Sequence, residues 1–177
     1  DVLIGMPSSG FHANGYSLVR HIIKKKNLQL DYFIQELGKT SGEVFLTPTE
    51  IYSLDCLTLY KAMQEKLHGF SHITGGGIAE NTLRVIPDHL TAIYDRSTWS
   101  LPLEMEFMAY EGGVPQEDME RTWNCGIGMT AIVAPSEADR ALATLAARGM
   151  KAWVAGVIRE RKSGEKGSAL EGTYRAR

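Results

Sequence analysis

The chain has 177 residues, 44% of them hydrophobic, which is enough to build one packed domain over residues 1–177. Its formal net charge is −2, with 21 acidic against 19 basic side chains and no long basic stripe, so electrostatics exclude nucleic acid and an anionic membrane as expected partners. No apolar run reaches the ~18 residues of a membrane span and no basic lead precedes an apolar segment, so no span or signal peptide is predicted and a cytoplasmic location is the default.

Asp1 to Pro7 (DVLIGMP) reads as a strand that begins without an initiator Met, as in a domain cut from a longer chain. Ser8 to Gly15 (SSGFHANG) is a turn of small, polar and φ-permissive residues. Tyr16, Val19, Ile22 and Ile23 then recur at helical spacing with Arg20 on another face, and Lys24, Lys25 and Lys26 occupy the last turn, where cations suit the helix dipole. A strand, a Ser/Gly/Asn loop and a helix start make a shape suited to anions. The hydroxyls of Ser8 and Ser9, the Asn14 amide and backbone N–H groups can donate, Gly10 and Gly15 permit close approach, and Arg20 stands about one turn into the helix. An ordinary capped turn has the same composition, and His12 is either a ligand contact or a turn residue.

The pattern weakens between Lys26 and Phe45, and residues 38–42 read as a surface loop. Thr47-Pro48-Thr49-Glu50 has the spacing of a capping box with Pro at N1, opening a long helix whose buried stripe is Tyr52, Cys56, Leu59, Tyr60, Met63 and Leu67 and which Gly69 ends. Cys56 and Cys125 stand far apart without CxxC spacing and are expected as free thiols.

Gly69 to Thr74 reads as the next strand, Gly75-Gly76-Gly77 as a turn, and Ile78 to Ile86 as a helix stopped by Pro87. This is the anion-type arrangement a second time, with unpaired N–H groups and the positive end of a dipole behind three residues that lack Cβ. Three glycines also make a merely flexible turn; what favours a site is His72 just before them, since imidazole accepts or donates a proton near neutral pH. Whether His72 faces the ligand mouth or the core depends on strand register.

His89 to Asp95 follows as a strand, Leu101 to Tyr110 as a helix before Gly112-Gly113, and Pro115 opens another to about Thr122. Trp123 to Met129 leads into a strand at Thr130 to Ala134, with Gly126 and Gly128 marking close backbone approach or a bulge and Asn124 a contact candidate at the lip. Ser136 is the expected N-cap of a helix closed by Gly149, Ala152 to Ile158 a further strand, and the tail from Arg159 a mobile strand end or a disordered terminus. Strands alternating with helices over short connections predict an α/β (α+β-like) fold, a mixed sheet flanked by helices, with ligands bound at strand ends.

DVLIGMPSSGFHANGYSLVR, TPTEIY, HITGGGIAEN followed by RVIP, RTWNCGIGM and AWVAGVI stand in the order and spacing of the C-terminal domain of the phosphoribosylaminoimidazole synthetase (phosphoribosylformylglycinamidine cyclo-ligase) family, which the chain resembles over nearly its whole length. Ala13 stands where that family usually has Ser, Glu50 where it has Arg, and Thr82-Leu83 where it has Ile-Pro, so Ala13 removes one hydroxyl from the loop. The resemblance implies an AIR synthase C-terminal-domain-like fold and an ATP-dependent closure of the imidazole ring in purine biosynthesis. ATP activates the formamide oxygen of formylglycinamidine ribonucleotide as a phosphate ester, and the amidine nitrogen attacks to expel phosphate. It implies ATP and Mg2+ held mainly by an N-terminal domain absent here, a phosphoribosyl substrate, a homodimer as the full-length protein, and a fragment inactive alone. Carried onto this chain, it implies substrate-facing loops at Ser8, Ser9, Gly10, His12, Asn14 and Gly15 and at Gly75, Gly76 and Gly77. His72 is then the proton-transfer candidate, with Arg20, Glu80 and Asn81 in support. Alternatives are a domain of a related enzyme (formylglycinamidine ribonucleotide synthase, selenophosphate synthetase or thiamine-phosphate kinase type) and a non-catalytic phosphometabolite-binding module.

Overall fold

The computed structural model describes residues 1–177. The chain runs β1 (Val2–Pro7), α1 (Tyr16–Lys26), β2 (Phe33–Ile34), β3 (Lys39–Thr40), α2 (Ser41–Phe45), α3 (Ser53–Met63), β4 (Leu67–His72), α4 (Gly77–Leu83), β5 (Leu90–Asp95), α5 (Leu103–Gly112), α6 (Gln116–Thr122), β6 (Ile127–Val133), α7 (Ala138–Ala146), β7 (Trp153–Glu160) and β8 (Ser168–Glu171). Six strands form one mixed sheet in the order β4-β6-β1-β7-β5-β8, antiparallel throughout except for the parallel β5–β8 pair. This is the mixed sheet flanked by helices that the alternation predicts.

β1 reads as an unbroken apolar run because the sheet is covered on both faces where β1 lies. Leu3 faces a core with Val19 and Ile22 of α1, Ile78 of α4, Met105 and Met108 of α5 and Met119 of α6, whereas Ile4 and Met6 face Leu59 and Met63 of α3 and Ala141 and Leu145 of α7. Successive side chains point to opposite faces, so the strand contributes to both cores.

Five local expectations are corrected. Residues 38–42 are not a loop, since Lys39–Thr40 pairs with Phe33–Ile34 and α2 begins at Ser41. The capping box is Thr40 with Glu43, not Thr47 with Glu50; the backbone stays non-helical through Ile51, and α3 starts at Ser53. The physical reason is a tertiary tether, because the Ser9 hydroxyl donates to the Pro48 carbonyl at 2.6 Å and the Tyr52 hydroxyl to that of Pro7 at 2.6 Å. Consequently Tyr60 is exposed, and Leu67 and Gly69 belong to β4. α4 ends at Leu83, short of Ile86, and a 3-10 turn over Pro135–Glu137 takes the place of a Ser136 cap. The tail is anchored, since β8 pairs with β5 and the Tyr174 hydroxyl donates to Glu120 at 2.9 Å with its ring edge-on to Trp99.

Candidate functional site

β1 and β4 both run antiparallel to β6, one on each side, with Pro7 opposite Ile127 and His72 opposite Met129. Their C-terminal ends therefore open on one edge of the sheet, and the loops that leave them meet there. The Asn14 side-chain oxygen accepts the Gly75 N–H at 3.2 Å, which joins the two glycine-containing loops directly.

The first loop is pinned from below. The Ser8 N–H donates to Gly126 O at 3.0 Å, and the Asn124 amide donates to Gly10 O at 2.8 Å while its oxygen accepts the Gly126 N–H at 2.9 Å. Phe11 is buried edge-on to Trp123, their centroids 5.0 Å apart. Gly15, at φ 75°, rests on the same indole so closely that a Cβ would stand 2.4 Å from the ring. At the start of α1 the N–H groups of Gly15, Tyr16 and Ser17 have no protein acceptor, whereas Leu18 and Val19 donate to Gly15 O.

The second loop is closed on itself. Asn81 is buried, donates to Gly77 O at 2.7 Å and to the carbonyls of Thr74 and Gly75, and accepts the Thr74 hydroxyl at 3.0 Å. The Gly76 N–H goes to Arg121 O and the Gly77 N–H to Thr74 O, each at 3.1 Å. With Gly75 held by Asn14, all three glycine N–H groups are used inside the protein, whereas the free N–H groups expected at the start of the helix that follows are those of Ile78 and Ala79, which have no protein acceptor. Close approach is what Gly77 serves, for a Cβ there would stand 1.7 Å from Glu120 O. Glu80 pairs with Arg84 on the surface, and Arg20 is exposed on α1.

Between the loops lies a ring cluster that the sequence did not single out. Tyr52 is buried, with ring centroids 6.1 Å from His12 and 6.5 Å from His72, and sits over Gly128, where a Cβ would stand 2.0 Å from its hydroxyl oxygen. The available signal was chemical, since a buried tyrosine hydroxyl needs an acceptor, which here is the end of β1. His12, at φ 59°, is 4% exposed; its Nε2 accepts the Ser9 N–H at 3.1 Å, and its Nδ1 is buried without a partner. Burial, with the neighbouring His72 adding to it, pushes the His12 imidazole down to about 4, so it stays neutral. His72 is exposed and lines an open cleft of about 330 Å³ with Glu50, Tyr52, Cys56 and Met129. Its side chain is exposed to this cleft beside α3 and is not packed in the core. Burial pushes the Cys56 thiol up to about 11, which leaves it a poor nucleophile at neutral pH. Both cysteines are free.

Over residues 1–166 the sequence matches the family described as AIR synthase related protein, C-terminal domain. The chain belongs to this family. Within it, the chain is 51% identical over 178 residues to a Streptomyces fradiae protein named provisionally as a phosphoribosylformylglycinamidine cyclo-ligase, covering 98% of this chain and 97% of that one. It is 44% identical over 165 residues to the phosphoribosylformylglycinamidine cyclo-ligase of Paraburkholderia phymatum, covering 93% of this chain and 45% of the relative, so it spans a little under half of that protein. Among solved structures it resembles tt0281 from Thermus thermophilus (TM-score 0.56, 16% identity, all of this chain and 51% of the other) and a thiamine-monophosphate kinase from Stenotrophomonas maltophilia (TM-score 0.57, 13% identity, 98% and 50%). At those identities the likeness carries the AIR synthase-like fold alone. No helix is long and apolar enough to cross a membrane.

Proposed function

We propose that this AIR synthase C-terminal domain forms the substrate-side half of an ATP-dependent cyclo-ligase that converts formylglycinamidine ribonucleotide to aminoimidazole ribonucleotide. The observation that carries the reading is the bond between Asn14 and Gly75, which brings SSGFHANG and HITGGG to one mouth beside His72. In this reading the free N–H groups at the start of α1, an 11-residue helix, receive the ribose phosphate, with Ser9 and Gly10 alongside. His72 takes the proton that the attacking amidine nitrogen sheds. Asn81 and Asn124 hold the loops in place.

ATP and Mg2+ would supply the phosphoryl group that turns the formamide oxygen into a leaving group. The residues here do not fit that pair: no three His, Cys, Asp or Glu side chains gather to hold a metal, and the triple-glycine N–H groups are already used. We assign the nucleotide to a separate N-terminal domain, which would also be this chain's partner in a full-length, dimeric, cytoplasmic enzyme. A chimera in which this chain replaces the matching 45% of the Paraburkholderia phymatum relative tests the reading. It should form aminoimidazole ribonucleotide from formylglycinamidine ribonucleotide and Mg-ATP, whereas the chain alone should bind no Mg-ATP in a calorimetric titration. A folded but inactive chimera, or stoichiometric Mg-ATP binding by the chain alone, would overturn it.

A further inference from the structure

A cleft of about 450 Å³ opens between the end of β1, the segment just after β5 and the start of β7, and of its lining only Ser8 belongs to the loops carried over as substrate-facing. Ser8, Thr98, Ser100, Lys151, Trp153 and Arg175 line it, and no carboxylate does. Neither Lys151 nor Arg175 forms an ion pair. The cleft therefore carries two uncompensated positive charges. A larger cleft of about 470 Å³ beside α6 differs on this point, because its Arg96 is matched by Glu120 and its Arg121 by Glu117, which leaves Lys166 as its one unpaired cation.

The cleft is also built with an unmet polar need. The Ser8 hydroxyl is buried with no partner, although the Ser8 N–H is held by Gly126. The Thr98 hydroxyl is already used, donating to Asp95 O at 2.8 Å and accepting the Trp153 indole N–H at 3.2 Å. This bond fixes the half-buried Trp153 ring as one wall, and the Arg175 N–H bond to Trp99 O at 3.0 Å brings the second cation to the rim. A buried hydroxyl without a partner is costly, and two like charges lining the same cleft favour an anion with several acceptor oxygens. The volume lies within the range of small-molecule sites.

We propose that this cleft binds a phosphorylated small molecule of sugar-phosphate size, its phosphate between Lys151 and Arg175 and within reach of the Ser8 hydroxyl. The site stands apart from the start of α1 and does not depend on the cyclo-ligase reading. Amide and indole NMR shifts of the full chain, titrated separately with inorganic phosphate, ribose 5-phosphate and ribose, test it. Both phosphates should shift the Trp153 indole N–H and the Lys151 and Ser100 amides saturably, with ribose 5-phosphate the tighter if the sugar is also held, and ribose should not. The Lys151→Ala, Arg175→Ala double variant should weaken that binding about tenfold or more, as loss of charge-assisted hydrogen bonds does. Both side chains are on exposed residues, and Lys151→Gln and Arg175→Gln provide single variants that keep comparable bulk. No saturable shift, shifts unchanged in the variants, or shifts confined to Gly15, Tyr16 and Ser17 would each overturn the proposal.

Discussion

Asn14 and Gly75 are 61 residues apart in sequence, and the side-chain oxygen of one accepts the backbone N–H of the other at 3.2 Å. That single bond registers the loop after β1 against the loop after β4, so the mouth between them has a defined width before any ligand arrives.

Asn14→Ala should therefore lower stability by only about 1 kcal/mol, the usual net worth of such a bond, while accelerating hydrogen exchange at the Gly75 amide. Asn14→Asp keeps an acceptor oxygen and should restore most of the protection. Unchanged exchange at Gly75 in the Ala variant would show that the loops are held together by other contacts.

His12 gives the fold a pH dependence whose sign follows from its environment. The imidazole is pushed down to about 4 from an ordinary 6.5, so below 6.5 the unfolded chain takes up a proton that the folded chain refuses until about 4. Its contribution is fully present above pH 6.5 and is lost as pH falls towards 4, by about 3 kcal/mol in all. Urea unfolding at pH 7 and at pH 4.5 should show this loss, and His12→Asn, which suits the left-handed backbone at φ 59°, should remove most of it.

Gly128→Ala should cost about 3 kcal/mol, because the new methyl group has no room beneath Tyr52 and His12. A Cβ there would stand 2.0 Å from the Tyr52 hydroxyl oxygen and 2.5 Å from His12 Cε1. Adding Tyr52→Phe removes the nearer clash and should recover part of the loss in denaturant melts. A Gly128→Ala protein as stable as the parent would contradict the packing described.

The parts that were legible in the sequence are those set by local chemistry. β1 and α1 follow from an apolar run and helical spacing, and α6 from Pro115 at its start. The two loops announced themselves by glycine content and by His12 and His72. What failed depended on partners distant in sequence. Thr47-x-x-Glu50 matches a capping box as well as Thr40-x-x-Glu43 does, and only the ties from Ser9 to Pro48 and from Tyr52 to Pro7 decide between them. The tail after Arg159 carries no strong pattern, yet β8 finds β5 and Tyr174 finds Glu120 across 54 residues. Tyr52 read as a core residue, and it is one. Its place between two histidines emerges only once Pro7 lies opposite Ile127 and His72 opposite Met129.

The site reading turns on His72, an exposed imidazole at the end of β4 with Tyr52 edge-on beside it. The measurement that tests it most directly is kcat and melting temperature of His72→Asn in the chimera with the Paraburkholderia phymatum relative. The account predicts a kcat lowered roughly 100- to 10,000-fold, as loss of a general acid–base group brings, with the melting temperature nearly unchanged because the side chain is exposed. A well-folded His72→Asn chimera with near-normal kcat would contradict it.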